Sequence, residues 1–207
     1  MNRRRTAYTL SAAALLAATP LLTACGNDAH PGAAAVVDGR RITVAQLQAQ
    51  VREVRDAQRD HPQAEQLIAG SGRLSQDTLI RMIQYRVIER AGADHGIRVT
   101  RREVQEERAR TEAREGGAAT VRGLYLQQGI APDQIDEAVR ADLTRDKLLA
   151  KLGTEGANTA FARTSEDLAI DVNPRFGSWD DREGTAKLAQ EPWLRETPPT
   201  VAAPEPA

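Results

Sequence analysis

The sequence predicts a mainly helical fold (α+β): a bundle of five to six helices with a short extended segment near each end of the domain. Three observations carry this. Leu79, Ile80, Ile83, Val87 and Ala91 recur at helical spacing and fall within an arc of about 120°. Thr43-Val-Ala-Gln46 and Thr100-Arg-Arg-Glu103 are capping boxes, each followed by a helical pattern. Ala35–Val37 with Arg41-Ile42, and Leu168, Ile170 and Val172 among polar residues, have the character of strands.

Taken in order, Met1–Ala24 reads as an export signal. Arg3, Arg4 and Arg5 form its basic start, and the apolar run Leu10–Leu22 is too short to span a bilayer of about 30 Å. It ends in Leu22-Thr23-Ala24-Cys25, which resembles the bacterial lipobox, so Cys25, the sole cysteine, is the expected lipidation site. Residues 25–33, small and polar at their start, serve as a tether. Removing Arg3, Arg4 and Arg5 with the leader leaves 25 basic against 29 acidic residues, a net charge of −4. No Lys/Arg cluster with interleaved aromatics follows, which argues against a nucleic-acid partner.

Asp38-Gly39 predicts a tight turn or small hairpin between Ala35–Val37 and Arg41-Ile42. Val44, Leu47, Val51 and Val54 share one stripe of the first helix, which ends near His61-Pro62. Gln63–Arg73 reads as a loop. The central helix follows, with Ser75 as its expected cap, Asp77 in its first turn, and Met82 and Ile88 widening the apolar stripe. Gly96 with Ile97 is its stop signal.

The third helix, from Thr100, alternates charge sign and reads as a solvated face until Gly116-Gly117. Ala118–Gln128 is a short helix stopped by Gly129-Ile130. Pro132 opens a fifth, with Ile135, Val139, Leu143 and Leu149 in line, and Gly153 ends it. Glu155–Glu166 has the pattern of a sixth, with Ala160 and Phe161 inward. Asn173-Pro174 starts a turn, and residues 186–207, with four prolines after Thr197, read as a disordered tail.

Gly-Ile-x-Val-Thr-x-x-Glu-Val (96–104) after an aliphatic helix resembles the N-terminal chaperone domain of the SurA/PrsA/trigger-factor-like family. Ala34-Ala-Val-Val-Asp-Gly-Arg-Arg-Ile-Thr43 looks like that family's opening strand, and Asp171-Val-Asn-Pro-Arg-Phe-Gly-Ser-Trp-Asp180 like its closing one. The resemblance implies that the two pair as a small two-stranded sheet joining the ends of a domain over 34–185. Many relatives insert a parvulin-type isomerase before the closing strand, and Gly153–Asp167 is too short to hold one.

No catalytic constellation stands out. His30, His61 and His95 lie apart, none with a second ligand at metal spacing, and no phosphate loop or nucleophile elbow occurs. No enzyme activity, metal or other cofactor is expected. The resemblance implies a lipid-anchored extracytoplasmic holdase for unfolded or newly exported polypeptides. The alternative is an envelope-assembly scaffold with one dedicated partner; a prolyl isomerase ranks behind both. Tyr125, Leu126, Phe176 and Trp179 are the residues to weigh as client contacts, against the plainer reading that Tyr125 packs its short helix and Trp179 covers the sheet end.

Overall fold

The computed structural model describes residues 32–187, so the expected signal peptide (1–24), Cys25 with most of the tether, and the tail from 188 onward lie outside the described residues. Helices dominate, with a small antiparallel sheet joining the two ends of the domain, and the elements run from Ala33 to Lys187. Strand β1 (Ala33–Val37) turns at Asp38-Gly39 into β2 (Arg40–Thr43). Both turn residues have positive φ, 53° and 67°, which is the type I′ geometry that matches strand twist. Near the other end, β3 (Asp171–Val172) pairs with β1 through Ala35↔Val172 and Val36↔Asp171. The sheet thus has three strands in the order β2-β1-β3, where the sequence predicts two. Sandwiched between partners, β1 is buried throughout, which its run of alanines and valines permits.

Both capping boxes form. Thr43 caps α1 (Val44–Arg59), and Thr100 caps α4 (Arg101–Arg114). The central helix α3 (Leu74–Asp94) has no side-chain cap: Arg73 stands at its N-cap, and Ser75 lies inside the first turn. The backbone does the work there, because the Arg73 carbonyl accepts from the amides of Gln76 and Asp77. Asp77 keeps its expected place at the positive end of the helix dipole. At the other end Gly96 (φ 69°) closes a complete Schellman motif, with Ile97 N donating to Gly92 O at 2.8 Å and Gly96 N to Ala93 O at 3.0 Å.

The stretch predicted as loop, Gln63–Arg73, contains a short helix α2 (Ala64–Ala69). It lacks a buried residue of its own, so no apolar stripe announces it. Polar contacts fasten it: Arg55 donates to Ser71 Oγ at 2.6 Å and Ser71 O at 2.9 Å, beside the buried Gln58 amide. Helix α5 (Ala118–Gln127) ends at Gly129 with the same Schellman pair, and Arg81 of α3 donates to the Gly129 and Gln128 carbonyls.

The long α6 (Ile135–Asp167) is two helical runs joined at Gly153 (φ 69°, ψ 173°), a conformation open essentially to glycine alone. The predicted fifth and sixth helices are these two runs. Leu168, expected in the closing strand, instead caps α6 and is buried there. The segment resembling the closing strand consists of β3, a 3-10 turn at Pro174–Phe176 where Asn173-Pro174 predicts one, and β4 (Ser178–Asp180). That last strand pairs with β5 (Thr185–Lys187), a hairpin not among the predicted elements.

The main core joins β1, β2, Leu47 of α1, Leu79, Ile83 and Val87 of α3, and Leu168, Val172 and Phe176 from the closing segment. Each large aliphatic buried from α3 contributes about 1.5–3 kcal/mol gross. Helix α3 packs most extensively on α6, and tightly at Gly92, where an added Cβ would lie 2.5 Å from Thr144 Cγ2.

Candidate functional site

A cleft of about 420 Å³ lies where the β4–β5 hairpin meets α3 and the second run of α6. Helix α3 contributes Gln84, Val87 and Ile88, the residues on the flank of its buried stripe. From α6 come Arg145, Asn158, Phe161, Ala162 and Ser165, and from the hairpin Trp179 and Asp181–Gly184. Phe161, Ala162 and Trp179 meet polar and charged side chains there.

Side-chain hydrogen bonds hold the hairpin in place. Trp179 Nε1 donates to Ser165 Oγ at 2.8 Å, and Ser165 Oγ donates onward to Asp181 Oδ1 at 2.7 Å. Gln84 Nε2 donates to Gly184 O at 2.8 Å. Lys187 pairs with Asp180 at 2.8 Å across the hairpin, and hydrogen bonds from Lys187 first, then from the Glu183 amide, hold the Asp180 carboxyl below the usual carboxylate range. The chain enters the hairpin through Gly177 (φ 119°), a joint that favours glycine.

Of the four residues weighed as client contacts, only Trp179 lines this cleft. Phe176 is 8 % exposed in the main core, and Leu126 is 4 % exposed against Val54, Leu74 and Ala131, so both are spent on packing. Tyr125 is half-buried in a third cluster around Val104, Ile130 and Ile135. Burial raises its pKa, and pushes that of Tyr85 in the same cluster up to about 12. Both hydroxyls therefore stay protonated at neutral pH. Ser165, Asp181 and Gln84 were not singled out in the sequence. A turn signal, Asp180-Asp-Arg-Glu-Gly184, was there to mark the hairpin, but the partners of its side chains lie far away along the chain.

Among the described residues no group of three or more His, Cys, Asp or Glu converges as a metal site would. His95 Nδ1 lies 2.9 Å from Ala91 O, and His61 Nδ1 accepts from Gln63 N at 3.1 Å. No described helix is long and apolar enough to cross a membrane.

The domain is small and helical, its first strand is clamped by its closing segment, and the cleft lies beside that closure. The model of the SurA-like N-terminal domain family matches residues 3–149, and the chain belongs to that chaperone-type family. No curated protein and no solved structure matches the chain. The family match ends inside the first run of α6, so the cleft combines Gln84, Val87, Ile88 and Arg145 from the matched part with residues beyond it.

Proposed function

We propose that this protein is a lipid-anchored holdase that binds segments of unfolded or newly exported polypeptides at the extracytoplasmic face of a bacterial membrane. The observation that carries the reading is the cleft, where the half-buried Phe161 and Trp179 offer apolar contact within a domain of a chaperone-type family. Its volume suits side chains of an extended segment, not a folded partner. Binding would then rest on apolar burial, with about micromolar affinity because each client must be ordered. It acts by holding alone, with no metal, cofactor or nucleic acid. Prolyl isomerisation in its presence is expected to keep its uncatalysed time of tens of seconds.

Cys25, outside the described residues, supplies the anchor in this reading, after removal of 1–24. A single acyl chain binds membranes only marginally, whereas two hold stably, so diacylglyceryl modification would keep the protein in the membrane through a high-salt wash. Cys25→Ala is expected to abolish that retention; a processed Ala variant that stays on the membrane would overturn the anchor.

The deciding experiment is light scattering of two unrelated aggregating clients with and without the protein, in the absence of ATP. Protection at near-stoichiometric ratios, lost when Ala162 is replaced by Arg in the cleft, is the expected result. If neither client is protected at several-fold excess, an assembly scaffold with a dedicated partner takes the place of the holdase.

A further inference from the structure

The chain itself carries a segment with the chemistry to fill the cleft. Beyond β5 stand twenty residues, and the only aromatic among them is Trp193, within Glu191-Pro-Trp-Leu-Arg-Glu196. Trp193 lies six positions beyond Lys187, a reach of about 20 Å when extended. The three residues of β5 span about 10 Å, so Trp193 can fold back to the hairpin's own turn, which is one wall of the cleft.

Charge matches as well as reach. Arg182 and Glu183 sit exposed in that turn, and neither makes an ion pair with a described residue. The segment brings acids on both sides of the Trp-Leu pair, Glu191 and Glu196, for Arg182, and a base, Arg195, for Glu183. Phe161 and Trp179, both half-buried, supply the apolar surface that an indole and a leucine would cover, above the buried Val87 and Ile88.

We propose that the cleft is the docking site of the chain's own Glu191–Glu196 segment, with Trp193 seated between α3, α6 and Trp179. This rests on the reading of the cleft as the polypeptide site, and it makes the segment an internal competitor. Clients must displace it, so a segment docked nine-tenths of the time lowers apparent client affinity about 10-fold. A short tether gives it a high effective concentration, so weak contacts suffice.

The test labels the full chain with 5-fluorotryptophan, whose two tryptophans give two fluorine resonances assigned by Trp193→Phe. The expected result is that both resonances lie away from their positions in urea. Ala162→Arg is then expected to return only that of Trp193 to its unfolded position, while Trp179 stays shifted and reports an intact hairpin. If Ala162→Arg unfolds the hairpin, Arg182→Glu on the exposed turn is the second variant, and it is expected to weaken docking in the same direction. A Trp193 resonance already at its unfolded position in the unaltered chain, or one unmoved by both variants, overturns the proposal. A shift that grows with protein concentration assigns the docking to a second copy and overturns the intramolecular form. Client affinity is measured separately with a fluorescent unfolded peptide, and Trp193→Ala is expected to raise it several-fold. Docking without any change in client affinity supports the seat of Trp193 and overturns the cleft as the client site, which keeps the two readings distinguishable.

Discussion

Helices α3 and α4 are consecutive and share one turn, yet they are fastened by different forces. Of its 21 residues, α3 buries Leu74, Thr78, Leu79, Ile83, Val87, Ile88, Ala91 and Gly92. Of its 14, α4 buries Val104 alone. What ties α4 down is charge: Lys147 reaches Glu103 at 2.5 Å and Arg98 O at 3.0 Å, and Arg108 reaches Asp136 at 2.7 Å. Half-exposed pairs of this kind contribute about 0–1 kcal/mol each, against about 1.5–3 kcal/mol for a buried aliphatic side chain. The lesson is a gradient of stability. The side of the domain built on α3 and the sheet is expected to hold the fold, with the α4 side opening first.

The largest effect is expected from removing the closing segment. A chain cut after Thr164 loses Leu168, Val172 and Phe176 from the main core and leaves β1 with only β2. About 6 kcal/mol of gross burial goes with them, which lowers the melting temperature by more than about 10 °C. A chain cut at Thr197 is expected to melt like the whole. Equal melting of the two would remove the sheet from the stable side of the comparison.

Next comes Ile83→Ala on α3, fully buried in the same cluster, with an expected loss of about 2–5 kcal/mol in denaturant unfolding. Val104→Ala, the one buried residue of α4, is expected to cost less because its cluster lies on the side that opens first. The reverse order would invert the gradient.

Gly92→Ala tests how tightly α3 and α6 cross. The new methyl meets Thr144 Cγ2, and overpacking of this kind costs about 1–3 kcal/mol. Thr144→Ser removes that methyl while keeping the hydroxyl donation to Arg140 O at 2.8 Å, so the double variant is expected to recover most of the loss. Additive losses would place the strain elsewhere.

The smallest effect is electrostatic and local to α4. Hydrogen bonds from Lys147 first, and then from Thr100, hold the Glu103 carboxyl down at about 2. A depressed carboxylate stabilises the folded state above its unfolded pKa of about 4.3, and that contribution is lost as pH falls from there toward about 2. Amide protection in α4, taken relative to the intrinsic exchange rate at each pH, is therefore expected to fall over that window in the unaltered chain. In Glu103→Gln it is expected to be lower at neutral pH and flat across the window. Identical profiles would show that the ion pair does not hold the helix.

What was legible in the sequence follows from range. Thr43 and Thr100 form their capping boxes with residues three positions away, Asp38-Gly39 sets its turn alone, and Gly96, Gly129 and Gly153 end or break helices by their own φ. Leu79, Ile83, Val87 and Ala91 of the predicted α3 stripe are buried, because one helix face determines them, while Ile80 at its edge is only half-buried. The resemblance also placed the closing segment against β1, and Asn173 makes that clamp with its amide on Ala33 O at 3.1 Å.

Other features depended on partners far along the chain. Helix α2 and strand β5 have no buried face or strong local signal, and the fold around them decides that they form. The chain's three lysines, Lys147, Lys151 and Lys187, look alike in sequence, yet one grips Glu103, one caps the α3 end at His95 O, and one closes a hairpin. Trp179 was visible as an aromatic, but its bond to Ser165 and the cleft beside it exist only because β4 returns across α6. Local sequence sets the helix ends at Thr43, Gly96, Thr100, Gly129 and Gly153, since caps and φ preferences act over a few residues. Which side chains meet in the cleft is decided by packing, because those contacts join segments up to a hundred residues apart, as Gln84 and Gly184 are.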